Sequence, residues 1–352
     1  MGNTPFISVI MPVYNSEEYL DTSIQSVLNQ SFRDLELILV NDCSQDKSKT
    51  ICQKYAEDDE RVKFIDLQEN IGAGKARNKG LEFVKGKYVT FVDADDRIDL
   101  ELYQHAATAT ENGKIDMVVW GMTELYLDKA GNLDSKNIVK TEEGTWDVKE
   151  EINEKILELE TQTLFGYQCN KLYKYSIIDE YKIRFEKSIL YEDYFFTLEF
   201  AKRIQSLACI MSVGYFYYKR FNESITTRYV PEYFELSRRR VKEMYDFCCD
   251  QKMQAGNVLG NIYLRYILSG AMRNEDKRSG LTKADKICWF KKVKRDEVYG
   301  HVINDAQISS PALKMLKFFM EHNAFGICRF MGMGTFWVKD KGPLLFARLK
   351  KN

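Results

Sequence analysis

Six short clusters of this chain hold residue types that could do chemistry, and four of them sit just past an apolar run. Asp93-Ala94-Asp95-Asp96 follows Tyr88–Val92. Carboxylates this close repel one another and are tolerated best beside a cation. An all-oxygen donor set selects a hard divalent ion such as Mn2+ or Mg2+, with Asp93 and Asp95 as ligands. The plainer reading is a helix cap at Asp96 or Asp99 with the other acids solvated. Asn41-Asp42-Cys43-Ser44-Gln45-Asp46 follows Leu35–Val40. A carboxylate there can accept from the N3–H of uracil, or it can simply cap the next helix. In Asn70-Ile71-Gly72-Ala73-Gly74-Lys75-Ala76-Arg77, the glycines let backbone N–H groups approach a ligand, and Arg77 can grip a diphosphate bidentately. Pro12-Val13-Tyr14-Asn15 closes the first apolar run. Pro12 cannot donate to a ladder and so ends the strand, Tyr14 offers a face to a base, and Asn15 offers an amide. Tyr191-Glu192-Asp193-Tyr194-Phe195-Phe196 sets two acids among aromatics, where a carboxyl pKa can rise into a general base's range. Arg220-Phe221-Asn222-Glu223-Ser224 reads as a loop able to close on phosphates.

The elements that must position these clusters alternate. Ile7–Met11, Leu35–Val40, Val62–Leu67, Tyr88–Val92 and Asp116–Gly121 read as strands. A helix is expected after Ser16, its N-cap, with Leu20, Ile24, Val27 and Leu28 on its apolar stripe. A Gly-opened helix spans Gly72–Val84. This β-α-β-α order predicts a mainly parallel sheet with helices on both faces, whose ligands sit at the carboxyl ends of the strands. Residues 145–229 mix helix (Val148–Leu159, Tyr191–Arg203) with strand (Cys169–Lys174, Val213–Lys219). Residues 231–322 read as helical.

Composition closes off several classes. Lys+Arg number 51 against 52 Asp+Glu, a net charge of -1, which leaves no basic excess to hold nucleic acid. Aromatic and apolar shares of 13% and 45% support a real core and exclude general disorder. The eight cysteines have no C-x-x-C spacing and only three His accompany them, so a thiolate–imidazole zinc site is not expected, and the scattered thiols suit a reducing cytoplasm. No signal peptide and no apolar run of transmembrane length is visible.

In this order the segments resemble the family 2 glycosyltransferases, inverting enzymes of the GT-A fold. The resemblance rests on S-V-I-M-P-V-Y-N-S-E-E-Y-L (8–20), S-V-L-N-Q-S (26–31), L-I-L-V-N-D-C-S-Q-D (37–46), N-I-G-A-G-K-A-R-N-K-G (70–80) and Y-V-T-F-V-D-A-D-D (88–96). It continues more thinly in N-K-L-Y-K (170–174), Y-E-D (191–193) and Y-F-Y-Y-K-R-F-N-E-S-I-T (215–226). It implies a GT-A domain over 1–230, with a nucleotide-sugar half near 1–130 and an acceptor half near 131–230, followed by a helical domain over 231–352. It implies that Pro12, Val13, Tyr14, Asn15 and Asp42 hold the base. Asn70, Gly72, Arg77, Arg220 and Ser224 would serve the diphosphate sugar. Asp93 and Asp95 form the D-x-D metal motif, Asp95 the more direct ligand, and Asp193 is the base. The expected donor is a UDP-sugar, the acceptor a glycan or lipid-linked hydroxyl, and the setting bacterial cell-surface polysaccharide synthesis; homo-oligomerisation is left open. The sequence departs from the family at Asn41, where an acid is usual, and at Cys169, where Trp is common.

The competing readings are a sugar-1-phosphate nucleotidyltransferase, which wants a Gly-rich loop that Pro12–Glu18 lacks, and a noncatalytic nucleotide-sugar-binding scaffold. A dinucleotide oxidoreductase lacks its third glycine. The C-terminal segment 312–352 carries eight basic and two acidic residues, net +6, against -7 for 1–311. Leu313, Leu316 and Met320 share one helical face, and Phe325, Phe330, Phe336 and Trp337 add aromatics. This pattern predicts an amphipathic anchor on the inner face of the membrane, or else packing on the helical domain or a dimer interface.

Overall fold

The structure is a computed structural model that describes residues 4–220, 229–304, 306–308 and 310–341, the side chains of 339–341 excepted. The chain divides into two compact units, Met1–Ser224 and Ile225–Asn352.

The first unit opens as β1 (Ile7–Val13), α1 (Leu20–Leu28), β2 (Leu35–Asn41), α2 (Ser48–Asp58), β3 (Val62–Asp66), α3 (Ala73–Leu81), β4 (Tyr88–Phe91), β5 (Arg97–Ile98) and α4 (Leu102–Ala109). It continues as β6 (Met117–Leu127), β7 (Leu133–Val139), β8 (Gly144–Trp146), α5 (Lys149–Thr161), β9 (Lys171–Lys174), α6 (Tyr175–Glu180), α7 (Glu192–Ala201) and β10 (Leu207–Lys219). The strands form one sheet of order β3-β2-β1-β4-β9-β6-β10-β5, with β7 on β6 and β8 on β10. β1 pairs in parallel with β2 and β4, and β2 with β3. β2 is buried along its whole length and β1 along nearly all of it, the mark of strands covered on both faces. Beyond β4 the sheet becomes mixed. β9 runs antiparallel between β4 and β6, and β10 runs parallel to β6. The result is a GT-A-like α/β unit followed by a helical one.

Two local expectations fail. Pro12 does not end β1: the strand runs on to Val13, with Pro12 opposite Val40. The β1–β4 ladder stops at Ile10↔Phe91, so Pro12 lies where β4 no longer runs alongside, and its missing N–H removes no bond on that side. Ser16 does not cap α1 either. The helix begins at Leu20, and Ser16 lies in the preceding turn, where its carbonyl accepts from the Tyr19 and Leu20 N–H groups. Its hydroxyl donates back to the Tyr14 carbonyl at 3.1 Å. Glu17, in the same turn, accepts from the Lys47 N–H at 2.8 Å.

The second unit holds α8 (Tyr233–Asp250), α9 (Gly256–Asn274), a short 3-10 turn (Lys277–Ser279), α10 (Lys283–Arg295), α11 (Glu297–Ile303), α12 (Pro311–Glu321) and α13 (Phe325–Lys341). α9 is the axis: α8, α10, α11, α12 and α13 all pack on it, and its Tyr263, Leu264 and Ile267 are fully buried. A Cβ on Gly260 would stand 2.3 Å from that of Ala306, so only glycine permits that approach. Among the described residues, no helix is long and apolar enough to cross a membrane. Leu313, Leu316 and Met320, the face expected to meet lipid, are 4%, 0% and 0% exposed; α12 spends that stripe on the core of its own unit.

Candidate active site

The polar clusters converge past the carboxyl ends of β1, β2 and β4, and the loops there are tied to one another. The Asp42 N–H donates to the Val13 carbonyl at 2.8 Å. Asn15, with φ +48°, a conformation asparagine tolerates, donates its N–H to Ser44 Oγ at 3.1 Å and accepts the Gln45 N–H at 2.8 Å. Val13 is buried and Tyr14 is 49% exposed, free to offer its ring. Asp42 is almost wholly buried. Its two oxygens accept from the Ile71 and Gly72 N–H groups at 2.7 and 2.9 Å. Where a direct contact to a base edge was expected, the structure shows a clamp on the loop that opens α3. Gly72 makes that clamp possible: it precedes α3 with φ +86°, a region that disfavours any other residue. Asn70 is exposed beside it.

Arg77 lies one turn into α3 and is 5% exposed. Its Nη2 donates to Asp93 Oδ1 at 2.7 Å, and its Nη1 stands 3.7 Å from Glu192 Oε1. Burial works against the guanidinium charge, but the carboxylates of Asp93 and Glu192 outweigh burial and raise its pKa. Its Nε and Nη1 make no hydrogen bond. Arg77 therefore joins the acid motif after β4 to the acid pair that opens α7. Gly74 permits that meeting, since a Cβ there would be 3.2 Å from Glu192 Cγ. Burial pushes Glu192 up to about 7, with Asp193 adding to the rise and Arg77 opposing it. Asp193 Oδ1 accepts the Tyr194 N–H at 2.8 Å. The left-handed Tyr191, φ +67°, turns the chain into this pair; a non-glycine residue held there is characteristic of functional sites.

The acids after β4 separate by environment. Asp93 faces Arg77, with Gln168 Nε2 at 3.4 Å. Asp95 faces Arg220, whose Nη1 donates to its Oδ2 at 2.6 Å and whose Nη2 donates to its carbonyl at 2.7 Å. The same guanidinium lies 3.8 Å from the centre of the Tyr19 ring. Asp96 is buried, accepting from Tyr215 Oη at 2.8 Å and the Tyr218 N–H at 2.9 Å. Burial and the neighbouring Asp95 and Asp93 hold its pKa well above the carboxylate range. Ser23 of α1 donates to the Ala94 and Asp96 carbonyls and pins the turn. A cavity of about 430 Å³ adjoins Asp95, lined by Glu18, Tyr19, Arg97, Lys129 and Arg220 among others. Ser224 lies outside the described residues.

Tyr19, Gln168 and Tyr215 join the site without having been singled out for it. Glu192 was legible as the partner of Asp193. Nothing in the spacing announces that Tyr19 stacks on Arg220 or that Gln168 reaches Asp93. Lys171, of N-K-L-Y, is wholly buried and donates to Leu164 O, Tyr167 O and Asn170 Oδ1 at 2.8, 2.6 and 2.6 Å. It holds the loop that carries Gln168, and burial pushes its pKa down to about 7.

A parallel α/β edge whose loops bring acids and an arginine to one place defines a ligand-binding domain of the GT-A kind. Residues 8–182 match the family model for glycosyl transferase family 2, and the chain belongs to that family. It is 32% identical over 235 residues to the glycosyltransferase-named EpsH of Bacillus subtilis (strain 168), covering 66% of each chain. It is 30% identical over 231 residues to a poly(ribitol-phosphate) beta-glucosyltransferase of Bacillus spizizenii, covering 64% of this chain and 34% of that one. The matched stretch thus spans just under two thirds of the first relative and about a third of the second. Residues 1–349 of S. aureus TarS, solved in complex with UDP-GlcNAc, share the fold at TM-score 0.65 and 22% identity, covering 96% of this chain and 92% of that one.

Proposed function

We propose that the protein is an inverting glycosyltransferase that moves a sugar from a nucleoside diphosphate sugar, a UDP-sugar first, to a hydroxyl of a glycan or lipid-linked acceptor. The observation that carries this is Arg77, which joins the Asp93 motif to the Glu192–Asp193 pair. A sugar bound beside Arg77 would have acids on both sides, as a direct displacement needs. Binding of UDP-GlcNAc by TarS, which shares the fold, supports the donor class. The acceptor hydroxyl would lose its proton to Asp193, while Glu192, pushed up to about 7, and Arg77 set the charge around it. Tyr14 would stack on the base, and the loop that Asp42 clamps would present its N–H groups to the nucleotide, with Asn15 and Asn70 beside it. Arg220 would turn its guanidinium to the phosphates.

Asp93 and Asp95 each draw a guanidinium, so this strand end gathers positive charge. Two hard carboxylates beside a diphosphate fit Mn2+ or Mg2+. A bound cation would neutralise charge developing on the leaving diphosphate. The setting consistent with this reading is cytoplasmic, peripheral on the inner face of the cell membrane.

The test is a thermal-shift panel of UDP-, GDP- and dTDP-sugars with and without Mn2+, followed by Asp193→Asn. A bound donor raises the melting temperature. Asp193→Asn keeps that shift and lowers sugar incorporation into a glycan or lipid extract by about 10²–10⁴-fold, the usual weight of a general base. A mutant working at the wild-type rate removes Asp193 from the role. Absence of any shift with every donor removes the donor class.

A further inference from the structure

The helical unit carries a face that is exposed among the described residues. Along α13 the exposed positions are Gly326, Ile327, Phe330, Met333, Gly334 and Trp337. They recur every three or four residues, so they form one stripe on the helix. None carries a charge. Phe330 is 71% exposed, Trp337 64%, Ile327 45% and Met333 39%. From Ile327 to Trp337 the stripe runs about 15 Å at 1.5 Å per residue. α12, which packs on α13, adds Phe318 and Met315, 53% and 52% exposed. Single exposed apolar residues need no explanation, but a contiguous patch of this kind marks an interaction surface.

Its surroundings say what kind. α10 packs directly on α13 and holds six basic residues (Lys283, Lys286, Lys291, Lys292, Lys294, Arg295) against one acid, Asp285. Lys286 is tied to Glu275, while Lys283, Lys291, Lys292 and Arg295 are exposed. The asymmetry extends to the whole unit. Residues 225–352 carry 24 Lys+Arg against 13 Asp+Glu, net +11, while residues 1–224 carry 27 against 39, net -12. Residues 342–352 contain Arg348, Lys350 and Lys351, no acid, and the apolar Leu344, Leu345, Phe346 and Leu349. A second copy of the chain would bring the same positive charge to the contact, whereas an anionic bilayer complements it.

We propose that the α10–α13 face docks on an anionic lipid surface. Ile327, Phe330, Met333 and Trp337 enter the headgroup–acyl boundary, and the α10 lysines meet the lipid phosphates. An uncharged aromatic-bearing stripe beside a basic flank is the composition that lies in a membrane interface. The Leu313–Leu316–Met320 stripe, for which the sequence pattern also allows packing within the helical domain, is internal and takes no part. The inference deepens the membrane location proposed above and rests on it only for what the docking serves. Its test involves no sugar transfer, so either reading can fail alone.

The test is flotation of the full chain with phosphatidylcholine vesicles, with and without phosphatidylglycerol, at low and high salt. The chain should float only with the anionic vesicles and only at low salt. Phe330→Gln with Trp337→Gln should weaken partitioning more than tenfold. Lys291→Gln with Lys292→Gln should weaken it by about 30-fold, roughly fivefold for each basic residue brought to an anionic surface. Both pairs lie at exposed positions, so far-UV circular dichroism and the melting temperature should match the parent and exclude misfolding. No flotation, equal flotation with neutral vesicles, or unchanged flotation of either pair overturns the proposal. So does a dimer in light scattering that Phe330→Gln with Trp337→Gln splits, because the stripe would then belong to a second copy.

Discussion

Glu192 is the residue whose environment makes the sharpest statement. Burial holds its carboxyl at about 7, where an unfolded glutamate titrates near 4.3. Between those values the folded chain binds more protons than the unfolded one, so stability falls as pH rises through the window. Glu192→Gln should therefore stabilise the protein by about 1–3 kcal/mol at pH 8, with the gain closing below about pH 4.5. Melting curves of both proteins across that range check it, and a difference independent of pH would show the acid to be unshifted. Arg77 is its counterpart. Removing the charge with Arg77→Met strands Asp93 and Glu192 and should cost about 3 kcal/mol. Adding Glu192→Gln should return part of that loss, with a coupling above about 1 kcal/mol in a double-mutant cycle; strictly additive effects would separate the two residues. The sequence made Arg77 a diphosphate ligand because an arginine one turn into a Gly-opened helix suits phosphate. It could not show Glu192, 115 residues further on, arriving on the other side of the same guanidinium. Nor does it show the partners of Asp42: the N–H groups of Ile71 and Gly72 belong to a loop whose path only the folded chain displays.

Among the elements, those with a strong periodic signal were legible. β1 to β4, α1 and α3 follow from apolar runs alternating with helical spacing. The others lacked a signal. β7 leaves Leu133, Asp134, Lys136 and Ile138 exposed, so it shows no buried apolar alternation, and β5 is two residues long. Pro12 was placed at a strand end because the length of β4 beside it cannot be read from β1. α3 lies tight on β1: a Cβ on Gly80 would stand 2.6 Å from Ile10 Cγ2. Gly80→Ala should therefore overpack that interface and destabilise the chain by about 1–3 kcal/mol, lifting α3 and weakening donor binding in the same calorimetric series. A Gly80→Ala protein of unchanged melting temperature and affinity would mean that α3 can move away at no cost.

The whole molecule is close to neutral, yet one unit carries net -12 and the other +11. The two units are thus of opposite sign. At pH 7.5 and low salt it should be retained on both anion and cation exchangers, and Lys291→Gln with Lys292→Gln should elute earlier from the cation exchanger while leaving the anion exchanger unaffected. Passage through the cation exchanger would show that the basic helices do not present their charge to the resin.

The order of the strands also sets a clock for synthesis. β3, β2, β1 and β4 lie within the first 91 residues, but the strand that closes the free side of β4 is β9, Lys171–Lys174. At about 5–20 residues per second, a ribosome needs on the order of 4–17 seconds to make the chain between Phe91 and Lys174. Through that interval the nascent sheet shows an unpaired hydrogen-bonding edge, and Arg77 waits with Asp93 for a glutamate not yet translated. Slowing translation across residues 92–170 should raise the aggregated fraction, and a holdase that covers that edge should lower it.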